Sequence, residues 1–299
     1  MGYAKMLDKM SSAPGFIAAL DQSGGSTPGA LRLYGVSDTD YQTEEEMFRL
    51  MHAMRVRIMT APAFTGDKVI GAILFERTMD GDVDGQEVPS YLWEKRGVVP
   101  FLKVDKGLNA EENGVQTMKP MPDLDALLIR AREKGIFGTK MRSVIAHADK
   151  AGIQAVVAQQ FEVARQIIGQ GLMPIIEPEV SIKSPTKVEA EAILRDVIGE
   201  HLDTLQAGET VMLKLTIPTV ADFYAPLVAH TSVVRVVALS GGYSTVDACE
   251  KLSHNHGMIA SFSRGLTEGL RVSMTDAEFN DSLAATIDQI YGASVNKVG

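Results

Sequence analysis

The chain has 299 residues, a net charge of −9, 45% hydrophobic residues and 22% charged ones, which suits a soluble protein with a full core in one large domain or two small ones. No apolar run approaches the roughly 20 residues of a membrane helix, MGYAKMLDKMSS has no apolar stretch for a signal peptide, and the negative balance argues against nucleic acid or anionic membrane as partners. The single cysteine, Cys249, excludes an internal disulfide framework and fits a reducing cytoplasm.

Short apolar runs alternate with amphipathic stretches. FIAAL (16–20) is the first predicted strand. A Thr43–Glu46 capping box then opens a helix with Met47, Leu50, Met51 and Met54 on one face. VIGAILF (69–75) and VVPFLKV (98–104) are the next strands. Pro122 introduces a helix through Leu124, Leu127, Leu128 and Ala131, and GIFGTKM (135–141) follows as a strand. Val157, Phe161, Ala164 and Ile168 share a helical face that stops at Gly171. LMPIIE (172–177) precedes a second expected capping box, Thr186–Glu189, ahead of Ile193, Leu194, Val197 and Ile198. TVMLKL (210–215), VVRVVAL (233–239) and MIASFS (258–263) complete the strands. Thr275–Glu278 caps a C-terminal helix over about 275–292, with Phe279, Leu283, Ile287 and Ile290 inside.

The runs are apolar throughout rather than alternating, as strands buried on both faces should be. Eight of them separated by helices predict α/β architecture, a single (β/α)8 TIM barrel spanning 1–299. The rival is a doubly wound open sheet, but DQSGGST after the first strand lacks the G-x-G-x-x-G spacing.

Chemistry in such barrels sits at the C-terminal strand ends. Here those ends carry Asp21, Glu76 with Arg77, Lys103 with Asp105, Lys140 with Arg142, Glu177 with Glu179, Lys214, Ser240 and Arg264. The cations among them are what a small anionic substrate would need against the overall negative charge. Lys214, in VMLKLTIP, is flanked by apolar residues. Burial and a neighbouring cation such as Lys140 both favour a neutral amine, and a neutral lysine attacks carbonyls. A lone lysine of this kind is more often a strand-end residue whose head reaches solvent. Lys103 and Lys140, ending two other apolar strands, shift the balance towards function.

In IIEPEV, Pro178 is expected to mark the strand's end; if the strand continues, Glu177 and Glu179 are expected on opposite faces, so that one carboxylate enters the mouth and moves protons, the alternative being a pair of solvated loop acids. Asp21 is a second acid or base, or else a turn residue. LSGGYS (239–244) and SFSRG (261–265) follow the last two strands, where barrel phosphate sites often lie. Gly241 and Gly242 admit backbone N–H groups near an anion, and Arg264 adds a forked charge. His254 and His256 in SHNHG lack an evident third ligand, so no metal is expected, and the fifteen methionines fit core filling.

ALDQSGGST (19–27), ILFERTMDG (73–81), PFLKVDKG (100–107), FGTKMR (137–142), PIIEPEV (174–180), LKLTIPT (213–219), LSGGYS (239–244) and SFSRGL (261–266) together resemble class I fructose-bisphosphate aldolases of the shorter bacterial form. The resemblance implies a metal-independent lyase, without cofactor, that cleaves fructose 1,6-bisphosphate reversibly in glycolysis and gluconeogenesis. It implies Lys214 as the Schiff-base lysine, Glu177 as the proton-handling acid and Glu179 as the residue orienting the lysine cluster. It implies Asp21 as the base for the C4 hydroxyl and Lys140 as the lysine beside the nucleophile. Lys103 is a further active-site lysine, Arg142 a substrate-phosphate contact, and Ser240, Gly241, Gly242 and Arg264 the site for the dihydroxyacetone-phosphate end.

Three departures accompany the resemblance. Gly29-Ala30 stands where animal relatives carry a Lys-Arg pair for the second phosphate, with nearby Arg32 as a substitute. Gln22 replaces a glutamate, and the chain ends SVNKVG, with Tyr291 its last tyrosine rather than a terminal catalytic one. A transaldolase-like Schiff-base enzyme and a noncatalytic scaffold on the same fold are the competing readings. The partner expected is a small sugar phosphate, and the sequence admits a homo-oligomer without specifying one.

Overall fold

Runs of Val, Ile, Leu and Ala form eight strands in the computed structural model, which describes residues 2–299. They are β1 (Phe16–Leu20), β2 (Val69–Leu74), β3 (Val99–Lys103), β4 (Gly138–Ile145), β5 (Met173–Val180), β6 (Val211–Thr216), β7 (Val233–Leu239) and β8 (Met258–Ala260). Each pairs in parallel with the next in chain order. Between β8 and β1 there is no ladder; a bond from Ala19 N–H to the Phe262 carbonyl, 3.3 Å, spans that seam. The result is the predicted TIM barrel, with long helices between strands, among them α1 (Glu44–Thr60), α2 (Leu124–Glu133), α3 (Lys150–Gly169) and α4 (Lys187–Leu202).

Two capping boxes form as expected. Thr43 and Glu46 exchange bonds at the start of α1, and Thr275 and Glu278 do so before the C-terminal helix, α5 (Asp276–Val295). The expected box at Thr186–Glu189 does not form, because the Thr186 hydroxyl accepts from Ala148 N–H at 2.9 Å instead. Pro122 stands outside its helix, ahead of the N-cap Asp123.

Two strand ends also differ from expectation. β4 begins at Gly138 rather than 135, since Gly135 takes φ +82° in the turn after α2. β5 runs through Pro178 to Val180. Pairing of β5 with β6 ends at Ile176, so the ladder beyond needs bonds on one side only and a residue without N–H fits. β4 accompanies β5 over its whole length, with Ser143 opposite Pro178.

Inward-facing positions recur every second residue. The lower layers are apolar: Ile17, Ala19, Val99, Phe101, Met173, Ile175, Met212, Val237 and Ile259 form one buried cluster. An N-terminal helix, Gly2–Ser12, adds Met6 and Met10 to that cluster. A second, larger apolar cluster lies between the strands and the surrounding helices. The next inward residue after the apolar layers is polar on strand after strand: Asp21 after Ala19, Lys103 after Phe101, Lys140 after Gly138, Glu177 after Ile175, Lys214 after Met212. The period that builds the core therefore also builds the site.

Candidate active site

These side chains meet in a cavity of about 930 Å³ at the C-terminal mouth of the barrel. At its floor, charges alternate along a chain. Asp21 Oδ2 lies 2.6 Å from Lys140 Nζ, Lys140 Nζ lies 3.0 Å from Glu177 Oε2, and Glu177 Oε1 lies 3.4 Å from Lys214 Nζ. All four side chains are buried, with Lys214 only 3% exposed. Isolated charges at such depth would cost several kcal/mol each, and the alternation offsets that cost.

The electrostatics follow from the contacts. Burial pushes the Asp21 carboxyl up, but Lys140, Lys214 and Lys103 outweigh it and hold the group well below the usual carboxylate range. Burial works against the Lys140 ammonium too, yet Asp21, Glu177 and Asp105 raise it above an ordinary lysine. Lys140 is thus a fixed cation shared by two acids, set one side of Glu177 while Lys214 occupies the other.

Around this floor sit two further pairs. Lys103 Nζ contacts both the carboxylate and the carbonyl of Asp105, each at 2.8 Å. Arg142 Nε donates to Glu179 Oε2 at 2.5 Å, and Glu179 keeps the guanidinium protonated above its ordinary range despite burial. Glu177 and Glu179 both line the cavity, contrary to the expected split. Residues two apart on a continuing strand share a face, and β5 does continue. The cations at the mouth are likewise not free, since four acids match Lys103, Lys140, Lys214 and Arg142.

On the opposite wall are Ser240, Gly241 and Arg264. Gly241 has φ +58°, and a Cβ there would stand 2.7 Å from the Ile182 side chain. Gly242, with φ +114°, turns just outside the lining, where an added Cβ would be 3.5 Å from Arg264 Nη2. Arg264 makes no ion pair with an acid among the described residues, so it is the mouth cation open to an incoming anion. Gly29 and Ala30 line the cavity without charge, whereas Arg32 is outside the lining and paired with Asp38 at 2.7 Å.

Two supporting residues, Gln160 and Arg55, escape the sequence reading, as does the contact made by Gln22. Gln160 of α3 accepts the Glu177 N–H at 2.8 Å and fixes that acid's backbone. Arg55 of α1, 1% exposed, donates to the Gln22 carbonyl behind Asp21 and to Thr78 Oγ1 at 2.7 Å. Burial lowers this arginine to about 10, with Asp21 opposing the shift. Its signal was available, since MRVRIM puts Arg55 four residues after Met51 on the apolar face. Gln22 Nε2 donates to Ser263 Oγ at 2.7 Å across the mouth. No group of three or more His, Cys, Asp or Glu converges as a metal site among the described residues. His254 and His256 pair instead with Glu250 at 3.5 Å and Asp222 at 2.9 Å.

The family model described as "Fructose-bisphosphate aldolase class-I" matches residues 7–221. Two relatives named fructose-bisphosphate aldolase class 1, from Synechocystis sp. and Porphyromonas gingivalis, are 58% and 56% identical over 291 residues, covering 97% of this chain and 97% and 99% of theirs. The chain belongs to the class I fructose-bisphosphate aldolase family. Solved structures agree on the fold. An aldolase from Plasmodium falciparum superposes with a TM-score of 0.78 at 21% identity, over 100% of this chain and 95% of the other. An archaeal fructose-1,6-bisphosphate aldolase, described with its catalytic lysine covalently bound to a carbinolamine intermediate, gives 0.53 at 11% identity, over 96% and 100%. In the class I aldolase described here, two lysines of the mouth, Lys140 and Lys214, are equally deep at 3% exposed and stand beside Glu177; Lys140 has a second acid in Asp21, whereas Lys214 has Glu177 alone.

Proposed function

We propose that this enzyme cleaves fructose 1,6-bisphosphate reversibly to dihydroxyacetone phosphate and glyceraldehyde 3-phosphate through a Schiff base on Lys214. The observation that carries the reading is the contact of buried Lys214 with Glu177, with Lys140 and Asp21 continuing the same chain of charges.

The Lys214 amine attacks the ketose C2 carbonyl, and the new C–N bond gives a carbinolamine. Glu177, 3.4 Å from the amine nitrogen, takes the ammonium proton and returns one to the departing hydroxyl, so that water leaves and an iminium forms. Asp21 then takes the C4 hydroxyl proton as the C3–C4 bond breaks. Its depressed proton affinity makes it a weak base on its own. The step is feasible because the bond electrons drain into the iminium as the proton leaves. Glyceraldehyde 3-phosphate departs, the enamine is protonated at C3, and hydrolysis frees dihydroxyacetone phosphate and Lys214. Lys140 stays protonated throughout and stabilises oxyanions passing between Asp21 and Glu177.

Glu179, expected to orient the lysine cluster, pairs with Arg142 instead and orients that arginine, which with Lys103 faces one end of the substrate, while Ser240, Gly241, Gly242 and Arg264 hold the dihydroxyacetone-phosphate end. The proposal takes the whole chain as one catalytic barrel, in the cytoplasm, with a sugar phosphate as partner and no nucleic acid. A homo-oligomer is compatible with it. The test is borohydride reduction in the presence of dihydroxyacetone phosphate, followed by peptide mass mapping. An adduct on the Lys214 peptide is expected; adducts only at Lys103 or Lys140, or none, would overturn it. Free dihydroxyacetone phosphate in the product mixture separates cleavage from transaldolase-type transfer.

A further inference from the structure

A bisphosphate substrate, as the proposed function requires, needs an anion site at each end of the cavity. Arg264 and the Gly241 turn serve one end. At the other, the β1 loop contributes uncharged Gly29 and Ala30, and Arg32 is turned away to Asp38. The cations already described there are committed. Lys140 is held by two buried acids, Lys103 by two oxygens of Asp105, and Arg142 by Glu179.

Lys106 differs. It follows β3, lines the main cavity, and is half-exposed. Its Nζ makes a single ion pair, 2.7 Å to Glu76 Oε2, and Glu76 also lines that cavity. The other Glu76 oxygen takes Arg130 Nη2, and Arg130 reaches Asp80 at 3.5 Å. Lys106 and Glu76 form the shared wall between the main cavity and a second one of about 530 Å³, on which Arg130 borders. Two cations therefore share one carboxylate, and one of them can leave it still paired. Lysine is suited to such an exchange, because its compact charge rides on a flexible stem.

We infer that Lys106 is the specificity-determining residue for the phosphate distal to the Schiff base, moving from Glu76 to that phosphate while Arg130 retains Glu76. Arg130 is then a positioning residue that never touches substrate. Lys106 explains how a chain without charge at residues 29 and 30 can still prefer a bisphosphate.

The experiment compares kcat/KM for fructose 1,6-bisphosphate and fructose 1-phosphate in the wild type and in Lys106→Gln, Lys106→Arg and Arg130→Met. In Lys106→Gln the bisphosphate-to-monophosphate ratio should fall about 10- to 100-fold, the worth of one charge-assisted hydrogen bond. Lys106→Arg should recover most of it. Arg130→Met should lower the same ratio by about 3- to 10-fold, because Glu76 left to one cation holds Lys106 harder. Equal losses for the two substrates, or an unchanged ratio in Lys106→Gln, would overturn the assignment while leaving the aldolase reading intact. A wild type that cleaves neither substrate and gives no borohydride adduct would overturn both.

Discussion

Replacing Lys140 with methionine removes the cation that Asp21 and Glu177 share and leaves two buried carboxylates facing one another. Truncating one member of a buried ion pair costs about 3–5 kcal/mol. At roughly 2.1 cal/mol/K per residue, a chain of 299 residues unfolds with an entropy near 0.6 kcal/mol/K, so Tm should fall by about 5–8 °C at pH 8. The loss should depend on pH in a set direction. In the wild type the depressed Asp21 contributes stability above its unfolded pKa, and this is lost only as pH falls through the folded value, below the usual carboxylate range. In the variant, burial acts on Asp21 without its nearest cation, so the native state carries a proton that the unfolded chain lacks. Stability then declines as pH rises, and the deficit against wild type should be smaller at pH 5 than at pH 8. Thermal unfolding by calorimetry across that range measures it. A Tm loss of the same size at both pH values, or no loss, would refute the charge chain.

Three further outcomes are expected. Glu177→Gln should slow trapping of dihydroxyacetone phosphate on Lys214 by about 10²- to 10⁴-fold in single-turnover borohydride assays, without moving the adduct to another lysine. Arg55→Met should leave Tm within about 3 °C, because a buried charge with no acid partner is removed, while kcat drops about tenfold as the backbone behind Asp21 loses its anchor; circular dichroism melts and steady-state rates test both parts. Gly241→Ala should destabilise by about 1–3 kcal/mol through the positive φ and the clash with Ile182, read by urea unfolding, and should raise KM for fructose 1-phosphate.

The barrel was legible because the strands are largely continuous apolar runs, most of them ending in a charge, a pattern that burial on both faces explains. The mouth residues were legible only as a set: the lysine of TVMLKL alone fits a head that reaches solvent, and Lys103 and Lys140 at the ends of two other apolar strands are what pointed to a site. The pairing among them was not. That Lys140 is bonded to Asp21 and Glu177 depends on β1, β4 and β5 delivering their ends to one level, which register sets and composition does not. Pro178 misled about the strand's end: a proline disrupts a two-sided ladder, but here pairing with β6 had already stopped at Ile176, so β5 runs on; the expected split of Glu177 from Glu179 failed separately, because residues two apart on a strand share a face. Thr186 shows the limit of local motifs, as a hydroxyl that could cap its own helix was claimed by a backbone donor 38 residues away in the chain.

The seam between β8 and β1 places the site on a split ring. Lys214 and Glu177 ride on strands within the laddered arc, each paired on its outer side, Lys214 opposite Val237 and Glu177 opposite Arg142. Asp21 and Arg264 flank the gap, where the Ala19–Phe262 bond and the Gln22–Ser263 bridge are the fasteners. A ring is weakest where its hydrogen bonds are fewest, and here that place is the gap rather than the arc. The lysine and its proton carrier thus stand away from the ring's weakest join, and the aspartate and the anion-facing arginine stand beside it.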